Sequence, residues 1–93
     1  MINYEIVHHV PGRIRLYMPV LKKIKIKDLR QMSSTLEEFR SQMPDGITDV
    51  DVNPITGSLK IKYEPSAINI LGYLHKIMDD GSLNFIIDKI EAL

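Results

Sequence analysis

"YEIVHHVPGRIRLYMP", residues 4–19, decides how the chain folds. It holds two adjacent histidines, His8 and His9, then Pro11-Gly12, then Arg13 and Arg15 on alternate positions. Proline lacks a ladder donor and glycine is a weak strand former, so the pair is out of place in a central strand. Yet both flanks read as strand. Tyr4 to His9 is β-rich by composition. After Gly12, the residues Ile14, Leu16 and Met18 alternate with Arg13, Arg15 and Tyr17, the pattern of a half-buried strand that Pro19 closes. The expectation is a single strand kinked at Pro11-Gly12, where a bulge would re-aim the side chains on either side.

Working outward, "VLKKIKIK" (20–27) reads as a basic connection. Leu29, Met32, Leu36, Phe39 and Met43 then recur at spacings of three and four, one apolar stripe on a helix. Asp28 suits its N-cap or first turn, and "PDG" (44–46) ends it. "ITDVDVNPITGSLKIKY" (47–63) reads as a hairpin. Val50, Val52, Leu59, Ile61 and Tyr63 point inward; Asp49, Asp51, Asn53, Lys60 and Lys62 point outward. The turn "NPITG" offers an Asx-type start, a fixed proline φ and a glycine able to take φ > 0. Ser66 reads as the cap of a second helix with Ala67, Ile70, Leu71, Leu74, Ile77 and Met78 on its stripe and Gly81 as its stop. "SLNFIIDKIEAL" (82–93) fits either element: Leu83, Phe85 and Ile87 alternate as in a strand, whereas Ile86, Ile90 and Leu93 suit a helix. A short strand over 83–87 is the expectation.

The resulting order, β-α-β-β-α-β, is the α+β, ferredoxin-like βαββαβ sandwich: an antiparallel sheet with two helices on one face. Strands one and three would be central, two and four at the edges. At 93 residues one domain, 1–93, is expected. The fold hosts many unrelated functions and names none.

Composition removes several classes of chemistry. There is no cysteine, so disulfides, thiolate metal sites, Cys nucleophiles and iron–sulfur clusters are excluded. Any metal needs His, carboxylate, Tyr or Met ligands. No apolar run approaches the roughly 20 residues of a membrane span, and the start lacks a signal-peptide pattern, so a cytoplasmic location is expected. Net charge is zero but uneven: His8 to Arg30 holds seven Lys/Arg and one acid, while residues 31–93 hold five basic and ten acidic residues. The basic segment suggests an anionic partner. Nucleic acid is disfavoured, because no aromatic residues interleave with Lys22 to Lys27 as on an RNA-binding sheet.

"VHHVPGRIRLYMP" (7–19) resembles the His-x-x-Pro-Gly-Arg-x-Arg opening of the second, cysteine-free type of heavy-metal-associated (HMA) domain. "ITDVDVNPITGSLKIKYEP" (47–65) is similar to that family's second and third strands, and "ILGYLHKI" (70–77) to its second helix. The resemblance covers roughly residues 4–80. It implies a ferredoxin-like domain, found at the N-termini of heavy-metal P-type ATPases or alone. The better-known HMA domains bind Cu(I) or Zn(II) through Met-x-Cys-x-x-Cys; this chain has no thiol, so a thiolate copper role is not expected. Metal homeostasis with a different ligand set, or regulatory docking, remains.

Neighbouring strand residues point to opposite faces, so His8 and His9 do not naturally share one ion. The motif singles out His8. Haem iron accepts a single axial His, and a transition metal ion (Fe, Zn or Co) is the other ligand considered. Tyr4 would share the face of His8 on a regular strand, as second ligand or hydrogen-bond partner. His9 is the secondary candidate. Arg13 and Arg15, about 7 Å apart on one face, suit a carboxylate, phosphate or haem propionate. The bland alternatives are backbone-bonded imidazoles and solvated charge. Met18, Met32, Met43 and Met78 sit on core stripes and read as packing. No Ser/His/Asp or Cys/His set supports catalysis, and the phosphate loop of acylphosphatases, which share this fold, has no counterpart. The chain thus reads as a non-enzymatic module that binds a metal or haem through His8, or that regulates a P-type ATPase. The alternative is an interaction module whose open sheet face and edges dock an acidic protein partner or a second copy as a homodimer.

Overall fold

The computed structural model describes residues 3–92, with the side chains of Ile26, Leu29 and Gln31 outside the description. The places of Leu29 on the first stripe and Leu93 at the C-terminus therefore lie outside the described residues. The elements are β1 (Glu5–Val10), β2 (Arg13–Tyr17), α1 (Leu29–Ser41), β3 (Ile47–Asn53), β4 (Ser58–Tyr63), α2 (Ile70–Asp79) and α3 (Asn84–Glu91). The four strands form one antiparallel sheet in the order β1-β2-β4-β3. This is an α+β fold compatible with the ferredoxin-like arrangement, as expected from the sequence.

Two parts of the expected connectivity differ. The opening stretch is not one kinked strand. Pro11 and Gly12 are the two central residues of a hairpin turn, with Val10 directly opposite Arg13. Gly12 takes φ +89°, the left-handed value that the third position of a type II turn demands and that a Cβ disfavours. The turn is tied to the sheet by the Tyr63 N–H, which donates to the Gly12 carbonyl at 3.0 Å. A bulge is present, but at Val7, between the Ile6–Leu16 and His8–Arg15 pairs. The second difference follows from the first. β1 fills the sheet edge beside β2 that a C-terminal strand would occupy, and residues 83–87 are not a strand. Asn84–Glu91 is a helix that buries Ile86 and Ile90; with Leu83 buried just before it, the spacing of three then four fits a helix and not a strand.

The remaining elements follow the reading closely. Ile14, Leu16, Val50, Leu59, Ile61 and Tyr63 pack under Met32, Ile70, Leu74, Ile77, Met78, Ile86 and Ile90. Sheet residues of the other parity stay exposed or half-exposed. At the β3–β4 turn, the Asn53 carboxamide oxygen accepts from the Ile55 and Thr56 N–H groups at 3.0 and 3.4 Å. The basic connection forms two 3-10 turns, Pro19–Lys23 and Ile26–Asp28, and Leu21 and Ile24 drop into the core at the i, i+3 spacing such turns bring together. Asp28 precedes α1 without capping it; its carboxylate accepts from the Lys25 N–H at 3.2 Å. Ser66 does not cap α2 either. Asn69 does, accepting from the Gly72 N–H at 3.2 Å, while Ser66 bonds Glu64.

The turn makes a direct prediction. In Gly12→Ala the new Cβ would lie 3.5 Å from the Tyr63 carbonyl oxygen, an ordinary contact, so the cost is backbone strain alone. Urea unfolding should show a loss of about 1–2 kcal/mol, whereas Ile14→Ala, at a fully buried position, should cost about 2–5 kcal/mol.

Candidate functional site

Strand register fixes what shares the face away from the helices. Val10, Arg13, Lys62 and Asp49 are successive partners across the sheet, and His8, Arg15, Lys60 and Asp51 form the next row. Cross-strand partners project from the same face with Cβ atoms about 5 Å apart. His8 therefore stands beside Arg15, one row from Arg13, and both arginines are exposed. The expected grouping of His8, Arg13 and Arg15 is present. It is produced by the hairpin, not by a kink within one strand.

The Val7 bulge separates the other two candidates from that face. Without it, Tyr4, Ile6 and His8 would share one side. With it, Ile6 pairs with buried Leu16, and Tyr4 packs against the core, while His8 moves to the open face. Tyr4 cannot join His8 as a ligand in this arrangement. His9 pairs with Ile14 and points to the helix side. Its Nε2 shares a 2.6 Å hydrogen bond with the Tyr63 hydroxyl, and the two rings lie 6.1 Å apart at a tilt of 42°. Tyr63 is 8% exposed, so His9 satisfies a largely buried phenol. That is a structural post. Among the described residues no group of three His, Asp or Glu side chains gathers to hold an ion.

The open face has an electrostatic oddity. Arg13 is directly opposite Lys62, and Arg15 directly opposite Lys60. Like charges so placed destabilise a sheet. Asp49 and Asp51 lie on the far side of the two lysines, yet among the described residues the ion pairs are Lys23–Glu91, Arg40–Glu37 and His75–Asp79, none of them on this face. A shallow polar depression lined by Arg15, Lys60, Ser58, Asp51, Asn53 and Thr56 opens there. Lys60 and Lys62 complete the set that Arg13 and Arg15 begin. The alternation "SLKIKY" signals their outward direction, but only register shows which arginine each one meets. Two lysines of the basic connection have partners: Lys22 lies 5.2 Å from the centre of the Tyr17 ring and Lys23 reaches Glu91 at 3.8 Å.

What this face can do follows from its donors. One imidazole beside four cations suits an anionic complex that brings its own ligands to a metal. It does not suit an ion caged by the protein alone, which needs about four protein donors. If His9 is a post and not a ligand, Tyr63→Phe should cost about 1 kcal/mol in urea unfolding and leave any binding at His8 unchanged in a spectroscopic titration.

No curated protein and no solved structure matches the chain. The family model for heavy metal associated domain 2 matches residues 3–83. That span contains the hairpin turn, the His8 row and the cationic pairs, and it gives the chain a metal-associated role: the protein belongs to the heavy metal associated domain 2 family.

Proposed function

We propose that the chain is a non-enzymatic, cytoplasmic module of metal or haem homeostasis, with the open sheet face as its binding surface. His8 is the metal ligand, to haem iron or to a transition metal ion such as Fe, Zn or Co. Arg13 and Arg15 hold the anionic part of the complex, a haem propionate or another carboxylate. The observation that carries this reading is the register: His8 opposite Arg15, on the face where, among the described residues, the two cation pairs have no ion-pair partner. A single axial imidazole is enough for haem iron, and paired guanidiniums match carboxylate geometry. His9 and Tyr4 are assigned no ligand role. The working context is a heavy-metal P-type ATPase, which the module would supply or regulate. No helix among the described residues is long and apolar enough to cross a membrane, in keeping with a module that meets its transporter from outside the bilayer.

The same cationic pairs favour a second reading, the docking of an acidic protein surface with no small ligand. One set of titrations separates the two. Purified protein is titrated with hemin, Fe(II), Zn(II) and Co(II). The expected result is binding tighter than about 100 μM for at least one probe, weakened at least about tenfold by His8→Ala and unchanged by His9→Ala. Binding indifferent to His8→Ala removes the ligand reading. Arg13→Glu with Arg15→Glu should abolish capture of an acidic partner under the second reading without lowering the unfolding midpoint, since both side chains are solvent-exposed.

A further inference from the structure

Beside the Arg15–Lys60 pair, toward the β3–β4 turn, the open face dips into a depression of about 280 Å³ lined by Arg15, Asp51, Asn53, Thr56, Ser58 and Lys60. Register orders these residues. Arg15, Lys60 and Asp51 are successive partners on β2, β4 and β3, and Ser58 with Asn53 forms the next row toward the turn. Neighbouring strands lie about 4.8 Å apart, so Arg15 and Asp51 stand about 10 Å from each other at the backbone, with Lys60 between them. Some hydrogen-bond roles are already taken. The Asn53 carboxamide oxygen accepts from the Ile55 and Thr56 N–H groups, which leaves its NH2 group for the depression. The Thr56 hydroxyl donates to the Ser58 hydroxyl oxygen at 2.8 Å, which leaves the Ser58 hydrogen to donate to something else. Arg15 and Lys60 make no ion pair among the described residues. The hollow therefore offers four donors, two of them cationic, and one carboxylate at its β3 end.

We infer that this depression binds a small phosphate monoester that carries hydroxyl groups, of the sugar phosphate class. A phosphate monoester brings about −1.5 to −2 charges at pH 7 and three strong acceptor oxygens. The Arg15 guanidinium, the Lys60 ammonium and the Ser58 hydroxyl match those oxygens with charge-assisted and neutral donors. A carboxylate has only two oxygens and would leave part of this set unused. Asp51 selects the rest of the ligand. Toward bare phosphate it is a like charge and opposes binding. Toward a hydroxyl-bearing tail it is an acceptor, and its distance from Arg15 leaves room for that tail. The volume is below the roughly 300–1,000 Å³ of sites for drug-sized ligands, so the ligand is compact. The next row, Arg13 with Lys62, carries the same two charges and has no counterpart of Ser58 and Asn53 beside it. It serves as an internal control for attraction by charge alone. The site shares Arg15 with the reading above and needs neither His8 nor a metal ion.

The test follows backbone amide shifts by NMR while the protein is titrated, at constant ionic strength, with ribose 5-phosphate, inorganic phosphate and ribose. Ribose 5-phosphate should bind with Kd below about 1 mM, inorganic phosphate at least about threefold more weakly, and ribose not measurably. The shifts should concentrate at Asn53 to Lys60. This selectivity needs no variant to fold. Arg15→Ser and Lys60→Ser, with urea midpoints checked against wild type, should each weaken ribose 5-phosphate at least about tenfold, whereas Lys62→Ser should weaken it less than about twofold. Asp51→Ala should act with opposite signs, tightening inorganic phosphate and weakening ribose 5-phosphate. Equal losses from Lys60→Ser and Lys62→Ser, or shifts spread over both rows, overturn the site in favour of general attraction to a cationic face. Binding of poly-glutamate without ribose 5-phosphate overturns it in favour of an acidic protein surface. Loss of phosphate binding in His8→Ala moves the anion out of the depression and overturns it too. Hemin and metal titrations that fail leave this site standing, and failure of ribose 5-phosphate leaves His8 as a ligand, so the two readings fall separately.

Discussion

Everything in this structure depends on the reversal at Pro11-Gly12. Proline fixes φ and gives no N–H, and Gly12 at φ +89° takes the left-handed position that follows it in a type II turn. A strand cannot continue through that geometry. The chain returns on itself, and the N-terminal segment becomes the edge strand beside β2. The sheet then has its four strands before the C-terminal segment arrives. Leu83, Ile86 and Ile90 are left to bury themselves from outside the sheet, and a helix does so with one face. That helix packs on α1 and on the turn after β2, and Lys23 meets Glu91 there. The choice between strand and helix at residues 83–93 is thus made some seventy residues upstream.

The second determinant is one extra residue. Side-chain direction in a strand has a period of two, so a single-residue bulge flips everything beyond it to the other face. At Val7 this flip assigns the two histidines their separate work. His9 goes to the helix side and satisfies the phenol of Tyr63, whose own N–H holds the hairpin turn. His8 goes to the open face and meets Arg15. A regular strand would have sent His8 toward the core side with Tyr4 and Ile6. The bulge therefore creates the candidate site and fixes the hairpin with the same displacement.

The sequence is legible where faces are set locally. Ile14, Leu16, Leu59, Ile61 and Tyr63 alternate with charge, and all are buried; Met32, Ile70, Leu74 and Met78 fall on helical spacings and are buried too. The Asn53 turn is legible because its chemistry is contained in five residues. The errors concern partners, not propensities. Pro-Gly is compatible with a bulge or a turn, and the difference lies in whether residues 5–10 pair with 13–17 or extend them. Ser66 and Asn69 are both good caps, and the chain's exit from β4 selects the later one. The segment at 83–87 alternates as well as any strand, but β1 already holds the place beside β2 that it would take. The candidate site was legible as residues and not as geometry: His8, Arg13 and Arg15 could be named, whereas the exclusion of Tyr4 and the pairing of each arginine with a lysine needed register.

The face opposite the helices has no packing role, which bears on why its charges are arranged at a cost. Arg13 with Lys62 and Arg15 with Lys60 are two opposed cation pairs on the most central strands of the sheet. Replacing either lysine by threonine would relieve the repulsion and suit a strand better. Asp49 and Asp51 flank the lysines and not the arginines, so the positive charge of the central strands is least offset on β2. An anionic complex ligated at His8 would set its charge against the arginines and its metal against the imidazole. β1, which carries that imidazole, buries none of its six residues and is held by its ladder to β2 and by the His9–Tyr63 bond. The proposed ligand is thus borne by the strand the core constrains least, and the charge by the strands it constrains most.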